Sequence, residues 1–206
     1  MKSREGTVVD ADELVDEMID TSKQHTEELG KVKDFTEEEL KELYNSIGLG
    51  AMKFYLLRVD PKKTMVFNPA ESIDFHGFTG PFVQYTYARI KSILRKVDGS
   101  LLIVDSKSMN NEPSTMNLFA LEKELIITAE QFPAAIEQAC QEHNPSVIAN
   151  YVFNLAKTFN SFYTEHSIAN AESEIKKQLR LQLAILTANI IKSSMQLLGI
   201  AVPERM

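Results

Sequence analysis

Residues 179–198 carry apolar side chains almost all the way round a helix, and such a helix is stable only when other helices surround it. Gly199 gives it a natural C-terminal stop, with Pro203 beyond. The other helical segments are striped and have one apolar face each to offer. Val9-Asp10-Ala-Asp-Glu13-Leu14 and Phe35-Thr36-Glu-Glu-Glu39-Leu40 each read as a capping box flanked by a hydrophobic staple, so helices are predicted to begin at about Ala11 and Glu37. The second runs toward Arg58 through Gly48 and Gly50, which lower helix propensity without ending the periodicity, and Asp60-Pro61 stops it. Residues 64–78 read as an ordered connection packed on the bundle. Residues 97–115 are polar and turn-rich and read as an exposed loop or insertion. Further helical patterns cover residues 116–129, 133–143 and about 145–165. The expected fold class is all-α, a helical bundle without internal repeats.

Between the connection and the loop lies Gly80–Lys96, GPFVQYTYARIKSILRK, with four basic residues and no acid in a chain of net charge -7. Pro81 suits the first turn of a helix, where its missing N–H would be unpaired anyway. Val83, Tyr87, Ile90, Leu94 and Val97 then form a core stripe. Tyr85, Arg89, Ser92 and Lys96 follow one another at steps of four, three and four along the other side. An aromatic ring and two cations in line suit a nucleic-acid backbone and an unstacked base. From spacing alone, Arg89 also reads as a surface ion-pair partner.

Charge is unevenly distributed. Residues 1–60 hold 8 basic and 15 acidic side chains, whereas residues 61–206 hold 14 of each, so all the excess acid lies in the first segment. Within the neutral remainder the bases cluster in Gly80–Lys96 and at Lys176, Lys177 and Arg180, and local basic faces attract phosphate even in an acidic chain. No apolar run approaches the roughly 20 residues of a membrane span, and the first thirty residues lack a signal-peptide pattern, so the expectation is a cytoplasmic protein with no membrane partner. Cys140, the single cysteine, has no partner for an internal disulfide and reads as a small buried hydrophobe.

Recognisable catalytic motifs are missing: no H-E-x-x-H, paired Cys-x-x-Cys, Walker A loop, G-x-G-x-x-G or G-x-S-x-G is present. The four histidines and Cys140 have no metal-ligand spacing, so no metal site is expected. The acidic residues of 27–42 read as solvated helix faces that favour helix N-termini through the dipole.

Three blocks in order carry a family resemblance. Asp60-Pro-Lys-Lys, MVFNPAESIDF and Gly77-Phe-Thr-Gly-Pro-Phe-Val-Gln-Tyr-Thr-Tyr-Ala-Arg89 resemble the segment joining the catalytic and anticodon-binding parts of bacterial-type arginyl-tRNA synthetases. Ala149-Asn-Tyr-Val-Phe-Asn-Leu-Ala-Lys-Thr-Phe-Asn-Ser-Phe-Tyr163 and Leu197-Leu-Gly-Ile-Ala-Val-Pro-Glu-Arg-Met206 are similar to later parts of the same family. Met1-Lys-Ser-Arg-Glu-Gly-Thr-Val-Val9 resembles the tail of a KMSKS-type loop, which in class I synthetases stabilises ATP phosphates; Lys2, Ser3 and Arg4 would be its remnant.

The resemblance implies a division at residue 78. Residues 1–78 would hold the loop remnant, a two-helix linker and the connection, and residues 79–206 a helical anticodon-binding domain of the type named for an Asp-Ala-Leu-Arg signature. Here that signature reads Lys177-Gln-Leu-Arg180, without the acid and the alanine, and Thr86-Tyr87 stands where many members have Ala-His. It further implies a parent enzyme that ligates arginine to its tRNA with ATP and Mg, and a truncated chain whose nucleotide-binding catalytic domain is missing. Such a chain would bind no cofactor, would be inactive alone, and would take tRNA rather than DNA as partner.

Carried over residue by residue, the anticodon-reading positions are Tyr85, Arg89, Tyr163 and Met206, with Lys91 and Lys96 as candidate phosphate contacts. Helical spacing alone leaves Tyr163 open as a core tyrosine whose hydroxyl reaches the edge, because Tyr151, Leu155, Thr158 and Phe162 precede it on a core-like stripe. Two alternatives accompany this reading: a freestanding helical scaffold that binds a protein through its acidic first helices, and the helical domain of another class I synthetase, such as a cysteine enzyme.

Overall fold

The computed structural model describes residues 10–28, 34–96 and 117–206. Residues 1–9, with the KMSKS-type remnant Lys2, Ser3 and Arg4, lie outside the described residues, as does the segment 97–115 read as a loop. The described residues are all-α: α1 (Ala11–Glu28), α2 (Glu37–Leu57), α3 (Pro69–Ser72), α4 (Gly80–Lys96), α5 (Ala120–Glu130), α6 (Phe132–Glu142), α7 (Ser146–Glu165) and α8 (Glu174–Leu197).

Local chemistry sets these boundaries. The Asp12 N–H donates to Asp10 Oδ1 at 3.1 Å at the start of α1. At the start of α2 the capping box closes in both directions, with Glu39 N–H on Thr36 Oγ1 at 3.3 Å and Thr36 N–H on Glu39 Oε2 at 2.8 Å. Two starts differ from the sequence expectation. Residues 117–119 are not helical, and α5 begins after Phe119, whose N–H donates to Glu122 Oε2 at 2.9 Å. Helix α8 begins five residues before position 179, because Ser173 Oγ accepts from Lys176 N–H at 3.2 Å and makes an N-cap that apolar periodicity does not register.

Helices α1 and α2 pair closely around Met18, Leu43, Ile47 and Ala51, and Ile73 from the connection completes that small core. Gly48 makes the approach possible: a methyl group there would stand 2.9 Å from the Met18 carbonyl oxygen. The larger core gathers Val83, Tyr87 and Ile90 of α4, Leu125 of α5, Val152, Leu155, Phe159 and Phe162 of α7, and Leu181, Ala184, Ile191 and Met195 of α8. Phe54 of α2 reaches into it, so α2 borders both cores.

The buried positions of α8 recur at helical spacing from Arg180 to Met195, but Leu186 and Leu197 are exposed; the helix is deeply seated on a broad face rather than enclosed all round. Cys140 is exposed as well, contrary to the expectation of a buried hydrophobe. On α6 the core is met by Phe132, Ala135, Ile136 and Ala139, and Cys140 falls just outside that stripe.

Candidate nucleic-acid interface

Over its described residues helix α4 separates its two sides as the spacing predicts, and Val97, the last position of the expected core stripe, lies outside the described residues. Val83, Tyr87 and Ile90 are buried and Leu94 packs against the core, while Tyr85, Arg89, Ser92 and Lys96 all line one groove of about 700 Å3. Tyr163, in the last turn of α7, lines the same groove; its ring lies nearly parallel to that of Phe159, 6.1 Å between centroids at 6°. Met206 completes the set from the end of the chain. Three parts distant in sequence, represented by Tyr85 and Arg89, by Tyr163 and by Met206, are therefore brought together.

The last residues reach the groove because a series of side chains holds them. Lys53 Nζ donates to the Gly199 carbonyl at 2.8 Å, and Gln84 Nε2 donates to the carbonyls of Ala201 at 2.8 Å and Ser46 at 3.0 Å. Arg95 Nη1 donates to the Glu204 carbonyl at 3.1 Å. Lys91, assigned above as a phosphate contact, places its ammonium 3.0 Å from the Glu204 carboxylate and is absent from the groove lining. Met206 then packs against the α1–α2 core. Lys96 is exposed at the groove edge.

Arg89 is fixed by two contacts. Its guanidinium carbon lies 4.9 Å from the centroid of the Tyr85 ring, a cation–π distance, and Nη1 donates to Asn160 Oδ1 at 2.6 Å. Asn160 in turn donates to Thr86 Oγ1 at 2.8 Å. The Tyr85 ring also meets Phe75 edge-on at 6.4 Å. An aromatic face and a planar cation are thus held side by side on rigid helices. Among the described residues the lining carries Arg89, Arg95, Lys96 and Arg205 against one acidic side chain, Asp34, which favours a ligand bearing negative charge. Sequence reasoning did not single out Arg95, Arg205 or Phe35 as groove residues, nor Asn160 as the partner that fixes Arg89. Asn160 stands one turn before Tyr163, and that spacing was the only available signal.

The second basic cluster has a different role. Arg180 is 1% exposed, and it donates to Glu122 Oε1 at 3.0 Å, to both oxygens of Glu172 at 3.0 and 2.8 Å, and to the Ser167 carbonyl at 2.7 Å. Lys176 donates to Glu122 Oε2 at 2.5 Å, and Lys177 lies 3.9 Å from Glu174. These cations are neutralised within the protein, so the phosphate-attracting face proposed for them from composition is not formed. Burial alone would raise the Glu122 pKa. The hydrogen bonds from Lys176, from the Phe119 N–H and from Arg180 outweigh burial and hold it below the usual carboxylate value.

Among the described residues, no group of three or more His, Cys, Asp or Glu is placed to hold a metal ion, and no helix is long and apolar enough to cross a membrane.

The sequence pattern of the DALR anticodon binding domain matches residues 83–206. Over its whole length the chain is 51% identical to an arginine-tRNA ligase of Flavobacterium psychrophilum and covers 33% of it. A second arginine-tRNA ligase, from Phocaeicola vulgatus, is 48% identical over the same 206 residues, again with 33% covered. The solved arginyl-tRNA synthetase of Thermus thermophilus superposes with a TM-score of 0.82 at 29% identity, over 97% of this chain and 32% of that one. That of Plasmodium falciparum shares the fold at a TM-score of 0.78 and 22% identity, over 97% and 34%. The chain spans about a third of the length of the curated relatives it matches.

Proposed function

We propose that this chain, which belongs to the DALR anticodon binding domain family, binds the anticodon loop of the tRNA for arginine as part of an arginine-tRNA ligase. The observation that carries the proposal is the convergence of Tyr85, Arg89, Tyr163 and Met206 on one groove rich in cations. Unpaired bases of a loop can be splayed out, stacked on aromatic faces and hydrogen-bonded at their edges. Tyr85 and Tyr163 supply the faces, Met206 an adaptable apolar contact and Arg89 a planar fork for a base edge or a phosphate. Lys96 sits at the rim, where a phosphate would pass.

Arginine activation with ATP and Mg is assigned to a nucleotide-binding catalytic portion of the enzyme, in the cytoplasm, with neither membrane nor DNA as partner. The chain alone is proposed to lack that chemistry, which requires charge positioned around the nucleotide phosphates. Arginine-dependent exchange of pyrophosphate into ATP by the purified chain would contradict this.

For the groove, the test is Tyr85→Ala against Tyr85→Phe in a titration with a labelled anticodon stem-loop. Loss of the ring is predicted to cost about 1–3 kcal/mol of binding, whereas loss of the hydroxyl leaves the stacking face in place. Unchanged affinity in Tyr85→Ala, with helix content intact, would remove the groove from recognition.

A further inference from the structure

The groove has a second wall that α4 does not supply, made by Asp34 and Phe35, just before α2, and by Arg205. The Arg205 guanidinium carbon sits 4.3 Å from the centroid of the Phe35 ring. One of its amino groups donates to the Asp34 carbonyl at 3.1 Å, and the other lies 3.9 Å from the Glu39 carboxylate. Glu39 is itself held at the α2 N-terminus by the Thr36 N–H. Phe35 packs against the small core of α1 and α2, so the ring under Arg205 is anchored.

These contacts restrain a side chain that ordinarily carries large rotamer entropy, yet the side chain remains 44% exposed. One face of a guanidinium is thus covered by an aromatic ring, two edges have partners, and the side chain borders a groove containing three further cations. A guanidinium plane stacks on a nucleobase as an aromatic ring does, whereas an ammonium group acts only as a point charge.

We propose that Arg205 is a stacking plane for an unpaired base in the groove, and that Phe35 is the positioning residue that holds the plane. The proposal rests on the reading of the groove as an RNA-loop site and extends that site to residues 34 and 35, outside the segment 83–206 that matches the family pattern. In this arrangement the α1–α2 pair contributes directly to recognition instead of serving as a linker.

The experiment is a fluorescence titration of the full 206-residue chain with a labelled RNA hairpin carrying the anticodon loop of an arginine tRNA, over a salt series. The variants are Arg205→Lys, Arg205→Ala, Phe35→Ala and Phe35→Tyr, with Tyr85→Ala as reference and circular dichroism to verify helix content. Arg205→Lys keeps the charge and the salt slope but loses the plane, so binding should weaken at least about fivefold at every salt concentration. Phe35→Ala should weaken binding to a similar degree without any change in charge, and Phe35→Tyr should restore it to within about twofold of wild type. Wild-type affinity in Arg205→Lys, with a slope lower by about one in Arg205→Ala, would reduce Arg205 to a phosphate contact and overturn the proposal. Weakening in Tyr85→Ala with wild-type binding in Arg205→Lys and Phe35→Ala would overturn it while leaving the RNA-loop reading intact. Wild-type binding in Tyr85→Ala would defeat that reading and the stacking proposal with it.

Discussion

The guanidinium of Arg180 has Glu122, Glu172 and the Ser167 carbonyl as partners, and Ser167 lines the groove that Tyr163 enters. The one charged residue retained from the Asp-Ala-Leu-Arg signature therefore shapes the turn beyond Tyr163. Truncating Arg180 leaves the buried Glu122 with only Lys176 and the Phe119 N–H as donors, and it empties the site of one of the largest fully buried side chains. Arg180→Ala is predicted to cost about 3–5 kcal/mol in urea unfolding, while the exposed Gln178→Ala should change stability by less than about 0.5 kcal/mol. The pH dependence follows from the direction of the Glu122 shift. A carboxylate with a lowered folded-state pKa contributes stability above its unfolded value of about 4.3, and that stability is lost as pH falls through the lowered value. Glu122→Gln should therefore destabilise the protein at neutral pH and flatten the fall in melting temperature on acidification. Sequence showed three cations close together, but Glu122, the partner that Lys176 and Arg180 share, is 58 residues from Arg180, and no local pattern announces a pairing at that range.

At the scale of elements, the two sides of α4 were legible because both depend on a 3.6-residue repeat that a single helix satisfies without reference to its neighbours. Its contact with α2 was not legible. Gly48 and Gly50 read as weak points in a helix, whereas they admit close neighbours: a methyl at Gly50 would stand 2.5 Å from Gln84 Nε2, the group that tethers Ser46 and Ala201. Gly48→Ala would gain about 1 kcal/mol of helix propensity but must displace the α1 backbone, an overpacking cost of about 1–3 kcal/mol. A net loss is expected, measured as a lower urea midpoint with faster hydrogen exchange in α1. The start of α8 was missed for the opposite reason, since a serine cap and one exposed isoleucine extend the helix beyond its apolar stripe. Ser173→Ala should cost about 1 kcal/mol, read in the same unfolding experiment.

At the scale of the whole molecule, the groove exists because three separate parts meet: the polar side of α4, the end of α7, and the last residues laid across α2 and α4 toward the residues before α2. The all-α class and most helices were readable from periodicity and caps. The family resemblance pointed to Tyr163 and Met206, which spacing alone could not connect with Tyr85 and Arg89. The second wall at Phe35 and Arg205 was hidden, because it depends on a contact between residues 171 positions apart at Asp34 and Arg205. The central claim is that the assembled groove reads unpaired bases of an anticodon loop. Its most direct measurement is a titration of the whole chain with two RNA hairpins of identical stem and loop length, one carrying an arginine anticodon and one with the middle anticodon base exchanged, repeated over a salt series. Recognition of bases predicts weaker binding to the exchanged loop by about 1–3 kcal/mol at every salt concentration, with parallel salt slopes for the two RNAs. Equal affinity for both hairpins, with only the common salt dependence remaining, would contradict it.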